Sequence, residues 1–257
     1  MTTHETGLAT RRADSGRGAK RYAVKAVWRT LQGEGAWAGR AAVFVRLAGC
    51  NLWSGLPHDR ARDAARSGAR CPTWCDTDFT AAGAAKLSAV HLVEEVLRVA
   101  AESNPAEPVR FVVLTGGEPL LQADAALVRA LHAAGFEVAC ETNGTVPLHE
   151  AFLDREADAL VPPDWVVCSP KLPEERLKIE WVDELKLVVP DYRPEAYERL
   201  AERVRPHVLG GRARRHLWLQ PEDGPRQREA TRLAVDLALR HPAWRVSVQT
   251  HKVLGVD

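Results

Sequence analysis

Short apolar runs, many of them β-branched, alternate along the chain with longer stretches whose apolar positions fall three or four residues apart. The first pattern suits strands and the second amphipathic helices. It predicts strands over residues 42–47, 110–114, 137–140, 165–168, 184–189, 217–219 and 245–248. Helices are expected over 88–101, 123–134, 194–204 and 225–240. Ser88 ahead of apolar positions 90, 93, 96, 97 and 100 reads as a capped start, and Gly135 as a C-terminal stop. Strands alternating with helices point to an α/β fold with a parallel sheet.

Polar, glycine-bearing segments follow one predicted strand after another. They are Gly49-Cys50, Thr115-Gly116-Gly117-Glu118-Pro119, Glu141-Thr142-Asn143-Gly144, Ser169-Pro170-Lys171, Gln220-Pro221 and Gln249-Thr250-His251-Lys252. Chemistry gathered at the carboxyl ends of strands marks the ligand-binding face of a barrel or open α/β sheet. Two stretches interrupt the pattern: a polar insertion at 53–70, and a basic segment at 205–216 expected as a solvated connection.

Composition narrows the function. With 46% apolar and 27% charged residues among 257, the chain can bury an ordinary core, read as a single domain over 22–257. Residues 1–21, with Arg11, Arg12, Arg17 and Lys20 among small polar residues, read as a disordered basic tail. A net charge of +1 supplies no field for nucleic acid or anionic lipid, so neither is expected as a partner. The longest apolar runs are too short to span a bilayer, and no signal-peptide core opens the chain. Five cysteines do not suggest a disulfide framework; a cytoplasmic, reducing setting with metal or catalytic use of thiols fits better.

Cys50, Cys71 and Cys75 carry the strongest chemical signal. Three thiolates can hold three irons of a four-iron cluster and leave the fourth open to a ligand. A Cys3His zinc site completed by His58 is a rival, but it leaves the glycine–glutamate motif unexplained. Cys140 and Cys168 sit in apolar runs and read as small hydrophobes. Trp74 offers an aromatic face beside the last ligand, and the Thr115–Glu118 stretch offers backbone polar groups and a carboxylate suited to a ligand ammonium.

Taken with residues 30–35 (TLQGEG), 44–53 (FVRLAGCNLW) and 75–79 (CDTDF), these segments make the chain from residue 22 onward closely resemble the 7-carboxy-7-deazaguanine synthase family of radical S-adenosylmethionine enzymes. The resemblance implies an α/β partial (β/α) TIM-like barrel with insertions, assembled as a homodimer. It implies a [4Fe–4S] cluster on Cys50, Cys71 and Cys75, and S-adenosylmethionine among Trp74, Cys75, Asp76, Gly117, Ser169, Pro170, Lys171, Gln220, Pro221, Glu222 and Asp223. A pterin would meet Leu31, Gln32, Gly33, Glu34, Arg46, Thr115, Glu141, His251 and the C-terminal Asp257, with Glu141 and His251 catalytic and Thr77 on Mg²⁺. The implied reaction is a lyase step of queuosine and deazapurine biosynthesis. It turns 6-carboxy-5,6,7,8-tetrahydropterin into 7-carboxy-7-deazaguanine and ammonia, with an electron donor such as flavodoxin.

Simpler roles stay open for single residues: Arg46 in a strand-end ion pair, Thr77 as a helix cap, His251 as a structural histidine. Lys186 is left unassigned. At the level of the whole chain, the alternatives are an activase of a partner protein and a non-catalytic metal-binding protein on the same scaffold. The cysteine spacing departs from the C-x3-C-x2-C common in the family: 20 residues separate Cys50 from Cys71, and three separate Cys71 from Cys75. A longer loop adds little closure entropy. The extra residue in the second spacer is expected to form a bulge at Pro72-Thr73.

Overall fold

The computed structural model describes residues 20–209 and 212–256. Nine strands form its main sheet: β1 (Arg21–Leu31), β2 (Ala41–Leu47), β3 (Ala85–Ser88), β4 (Phe111–Gly116), β5 (Glu137–Thr142), β6 (Trp165–Cys168), β7 (Glu184–Val189), β8 (His216–Pro221) and β9 (Arg245–Val246). The helices are α1 (Arg60–Ser67), α2 (Ala89–Ala100), α3 (Ala125–Ala133), α4 (Leu148–Phe152), α5 (Glu198–Glu202), α6 (Gln227–Arg240) and α7 (Thr250–Leu254). The strand order is β9-β8-β7-β6-β5-β4-β2-β1-β3. Every pairing from β2 to β9 is parallel, while β1 pairs antiparallel with both β2 and β3. The sheet is open-edged, and the fold is the expected α/β partial barrel.

Side chains alternate between the two faces of a strand, so each strand serves two environments. Val43, Val45 and Leu47 of β2, Val112 and Leu114 of β4, and Leu185 and Leu187 of β7 are buried in the larger core cluster with Leu92, Val96, Leu127, Leu131 and Leu237 of the helices. On the opposite face a smaller cluster joins Ala42, Phe44, Phe111, Val113, Ala139, Trp165 and Val167, with Trp28 and Trp37 packed against it. Two residues further on, this inner face becomes polar: Arg46 follows Phe44, Thr115 follows Val113, and Glu141 follows Ala139. The parallel register sets Arg46 beside Thr115, and Leu114 beside Cys140, which brings Thr115 level with Glu141. An apolar floor and a polar rim thus follow from strand period and register alone.

The helix caps act as the pattern requires: Ser88 Oγ accepts from His91 N–H, and Asp124 Oδ1 accepts from Leu127 N–H. The segment 194–204 is shorter than expected, a 3-10 turn at Pro194–Ala196 followed by α5. Strands β1 and β3 were not anticipated. Polar Lys25 and Arg29 and a register shift between Val24 and Ala26 break the alternation of β1, as a β-bulge does. Residues 205–216, expected as a plain connection, contain a small hairpin of His207–Leu209 with Arg212–Arg214. Arg21 opens β1 and Lys20 pairs with Asp124 at 2.7 Å, so residues 20 and 21 of the stretch read as tail belong to the fold; residues 1–19 lie outside those described.

Leu114 is fully buried between sheet and helices. Leu114→Ala should lower unfolding free energy by about 2–5 kcal/mol in urea titration. A loss below about 1 kcal/mol would mean that the helix layer collapses onto the gap.

Candidate active site

A cavity of about 440 Å³ opens at the carboxyl ends of the strands. It is bordered by Cys50, Cys71 and Cys75 together with Leu31, Gln32, Gly33, Glu34, Arg46, Trp74, Asp76, Thr77, Thr115, Gly117, Glu141, Ser169, Lys171, Gln220 and His251. Residues from all along the sequence therefore meet at one cavity. Pro170, Pro221, Glu222 and Asp223 do not border it. Pro170 and Glu222 are buried, the latter accepting two hydrogen bonds from Arg226, and Asp223 pairs with Lys252. Asp257 lies outside the described residues.

The cysteine site is assembled by close backbone contact. A Cβ on Gly116 would sit 2.4 Å from Leu47 O, and one on Gly117 2.4 Å from Gly49 O and 2.7 Å from Cys50 Cβ. The two glycines let the end of β4 lie against the loop that presents Cys50. On the other side, Cys71–Thr73 forms a 3-10 turn, closed by Trp74 N–H to Cys71 O at 3.1 Å and Cys75 N–H to Cys71 O at 2.8 Å. The extra residue is thus wound into a turn instead of a bulge. Cys75 falls one turn after Cys71, on the same side.

Burial pushes all three thiols up, Cys71 to about 12, so loss of their protons must accompany metal binding. All three face one cavity, yet among the described residues no three His, Cys, Asp or Glu side chains converge closely enough for a single ion. Three thiols facing one cavity can each bind a separate iron of a cluster. His58 is exposed beside Asp59 and away from the cavity, which removes the fourth ligand of the zinc reading. Cys140 and Cys168 are buried in the core as expected.

Glu118 was expected to face a ligand ammonium, and the structure corrects this. Its buried carboxylate accepts from Leu120 N–H at 3.0 Å, Thr142 Oγ1 at 2.8 Å and Asn143 N–H at 2.7 Å, tying the ends of β4 and β5 together. Burial still raises its pKa to about 7.

The other half of the cavity is lined by buried charge. The Arg46 guanidinium lies 4.9 Å over the Trp28 ring, makes no ion pair among the described residues, and has an unpartnered buried Nε. The simple strand-end ion pair is therefore not what holds it. Glu141 accepts from Gln32 Nε2 at 3.0 Å and from Thr115 Oγ1 at 3.4 Å. Burial acts to raise the pKa of Glu34, but its ion pair with Lys186 and hydrogen bonds from Gln220 and Gln249 hold it down at about 2. His251 stands so close to Gly33 that a Cβ there would strike its ring. Lys171 donates to Ser169 O and Oγ at 2.9 and 2.6 Å, and burial lowers its pKa. Thr77 caps no helix; its backbone and side chain hydrogen-bond toward Cys75.

Residues 70–210 match the family model of the Radical SAM superfamily. The chain is 46% identical over 242 residues to the 7-carboxy-7-deazaguanine synthase of Bordetella pertussis, covering 91% of this chain and 99% of that protein. It is 47% identical over 239 residues to the enzyme of the same name from Bradyrhizobium diazoefficiens, with the same coverage. The chain belongs to the 7-carboxy-7-deazaguanine synthase family. The crystal structure of QueE from Escherichia coli matches it with a TM-score of 0.59 at 26% identity, over 90% of this chain and 95% of that one. Membership in this radical SAM family brings a [4Fe–4S] cluster and S-adenosylmethionine, which the cysteine triangle and its surroundings fit. The family is one of lyases in deazapurine biosynthesis, and neither the activase nor the non-catalytic reading is favoured.

Sequence reasoning gave no site role to Trp28, Thr30, Lys186 and Gln249, all of which border the cavity. Lys186 did leave a signal, as a cation inside the otherwise apolar core of β7. Replacing it with Met should strand the buried Glu34 carboxylate and cost about 3–5 kcal/mol in chemical denaturation. The Glu34→Gln/Lys186→Met double variant should recover most of that loss, and failure to recover would mean that the two groups do not act as a pair.

Burial also raises Glu184 to about 7 against the hydrogen bond from Ala36 N–H. With Glu118 likewise raised, the folded chain holds protons that the unfolded chain releases above its ordinary value of 4.5. Their contribution to stability is complete below that value and is lost as pH climbs through about 7. The stability of Glu184→Gln relative to the parent chain should therefore improve from about pH 5 to about pH 8. A flat difference would show that Glu184 does not titrate there.

Proposed function

We propose that this chain converts 6-carboxy-5,6,7,8-tetrahydropterin to 7-carboxy-7-deazaguanine with release of ammonia, a ring contraction in queuosine and deazapurine biosynthesis. The observation that carries the reading is the half-buried Arg46 guanidinium, which makes no ion pair among the described residues and faces the same cavity as the three thiols. An anionic substrate group is the missing partner such a charge requires. Arg46 grips the substrate carboxylate through parallel N–H bonds, a geometry lysine cannot copy.

When bound, the cluster on Cys50, Cys71 and Cys75 and S-adenosylmethionine supply one-electron hydrogen abstraction. Trp74, Cys75, Asp76, Gly117, Ser169, Lys171 and Gln220 border the part of the cavity that would hold the adenosylmethionine, while Pro170, Pro221, Glu222 and Asp223 stand behind that wall. Leu31, Gln32 and Gly33 wall the pterin, and Glu141 accepts hydrogen bonds from its guanidine-like edge. Glu34, already engaged by Lys186, Gln220 and Gln249, fixes the shape of that wall. His251 stands against Gly33, where it can hold a proton beside the ring. Loss of ammonia is the whole change in formula between substrate and product. The conversion is therefore redox-neutral, and the hydrogen taken from carbon 6 is returned.

The Thr77 hydroxyl, which borders the cavity, would serve as one oxygen ligand of a Mg²⁺ ion, the donor type a hard cation prefers. The priming electron comes from an external carrier such as flavodoxin. The working unit is a cytoplasmic homodimer, for which the exposed Val248, Val253 and Leu254 supply apolar surface. No helix among the described residues is long and apolar enough to cross a membrane.

The test is an anaerobic assay of reconstituted protein with adenosylmethionine, dithionite, Mg²⁺ and the free pterin, with the product identified by mass. Cys75→Ala should abolish adenosylmethionine cleavage. Arg46→Ala should keep full iron content while raising KM for the pterin about tenfold or more, the loss of a charged hydrogen-bonded pair. Unchanged pterin in the presence of an intact cluster would overturn the reading, and an unchanged KM would overturn the role of Arg46.

A further inference from the structure

We propose that Arg60, supplied by the 53–70 insertion, is a positioning residue for the iron–sulfur cluster. It clamps the turn that carries Cys71 and Cys75. Its Nη1 donates to Pro72 O at 2.5 Å and its Nη2 to Cys75 O at 3.3 Å. One rigid, planar group thus bridges a carbonyl inside the turn and the carbonyl of a ligand residue. The guanidinium also lies 4.3 Å over the Trp53 ring, which packs edge-on against Phe79 at 5.4 Å, so the fork is held from behind as well as in front. Unlike Arg62 and Arg66 on the same helix, Arg60 has no acidic partner among the described residues. Its charge is directed to the two carbonyls and the ring.

The insertion is built to hold that fork in place. Its entry is tied where Ser54 N–H donates to the buried Asp63 carboxylate at 2.7 Å, and its exit where Ser67 Oγ donates to Asp63 O at 2.8 Å. Gly68, at φ +74, ends α1, and Arg176 Nη1 donates to Ser67 O at 2.8 Å from outside the insertion. The chain then turns through Ala69, packed in a small apolar cluster with Leu52, Cys71 and Leu172, directly into the cysteine turn. A twenty-residue spacer is therefore a folded arm, not slack. The two carbonyls it grips belong to the turn with one residue more than the family's usual spacing, where extra freedom would otherwise loosen the ligands.

The experiment uses anaerobically reconstituted holoprotein and measures iron per chain and the rate at which a ferrous chelator strips the cluster. Thermal unfolding of the metal-free chain is measured in parallel. Arg60→Ala should lose iron about tenfold faster than the parent, the scale of losing hydrogen bonds from a charged donor. The melting temperature of the metal-free chain should stay near the parent value. Arg60→Lys, which keeps the charge but reaches one carbonyl at a time, should fall between the two. Trp53→Leu, which slackens the fork without removing it, should also speed iron loss. Parent-like iron loss in Arg60→Ala would overturn the proposal. So would faster loss that merely tracks a matching drop in melting temperature. Should Arg60→Ala not fold, parent-like iron loss in Arg60→Lys would overturn it instead.

Discussion

Everything at the carboxyl edge of this sheet depends on two backbones passing at van der Waals distance. Gly116 and Gly117 leave no gap for a β-carbon between the end of β4 and the Leu47–Cys50 segment after β2. That approach sets where Cys50 stands relative to the cavity. It also brings Glu118 to the point where it can gather donors from its own strand end and from β5. The glycine pair and the glutamate that follows act as one joint. The glycines permit the contact, and the carboxylate locks it by filling hydrogen-bond demands that would otherwise be left buried and open.

Around this joint the cavity separates two kinds of buried charge. Glu34 and Lys186 neutralise each other and are further bridged by Gln220 and Gln249, so they are spent on structure. Arg46 lies over an aromatic face and makes no ion pair among the described residues, with Glu141 the carboxylate that acts on it most, so its N–H groups remain available to a ligand. The protein carries the cost of desolvating that guanidinium so that an incoming carboxylate meets a donor already in place.

Much of this was readable from residues 42–47, 110–119 and 137–144, where apolar runs end in glycine and polar clusters and the strand period dictates which side chains share a face. Strand β1 was not readable, because Lys25, Arg29 and a bulge disguise its alternation. Nor was α1, whose Arg-Ala-Arg-Asp-Ala-Ala-Arg-Ser sequence has no apolar stripe and folds through contacts made by Asp63 and Arg60. The motif displayed a carboxylate at Glu118 but not its direction. That depends on Thr142 and Asn143, which only the tertiary fold brings alongside. The Glu34–Lys186 pair joins positions 152 residues apart, a coupling no local pattern records.

The antiparallel placement of β1 has a consequence for how such a molecule can diversify. Trp28, Thr30, Leu31 and the Gln32–Glu34 turn all hang from one antiparallel ribbon, whereas the three cavity-facing thiols and the loops after the other strands grow from the neighbouring parallel strands and the arm between them. Sequence drift along that ribbon can reshape the chamber's guest preference while the radical-generating machinery stays untouched. One wall of the chamber is thereby lodged in a strand that can change separately from those carrying Arg46, Thr115 and Glu141.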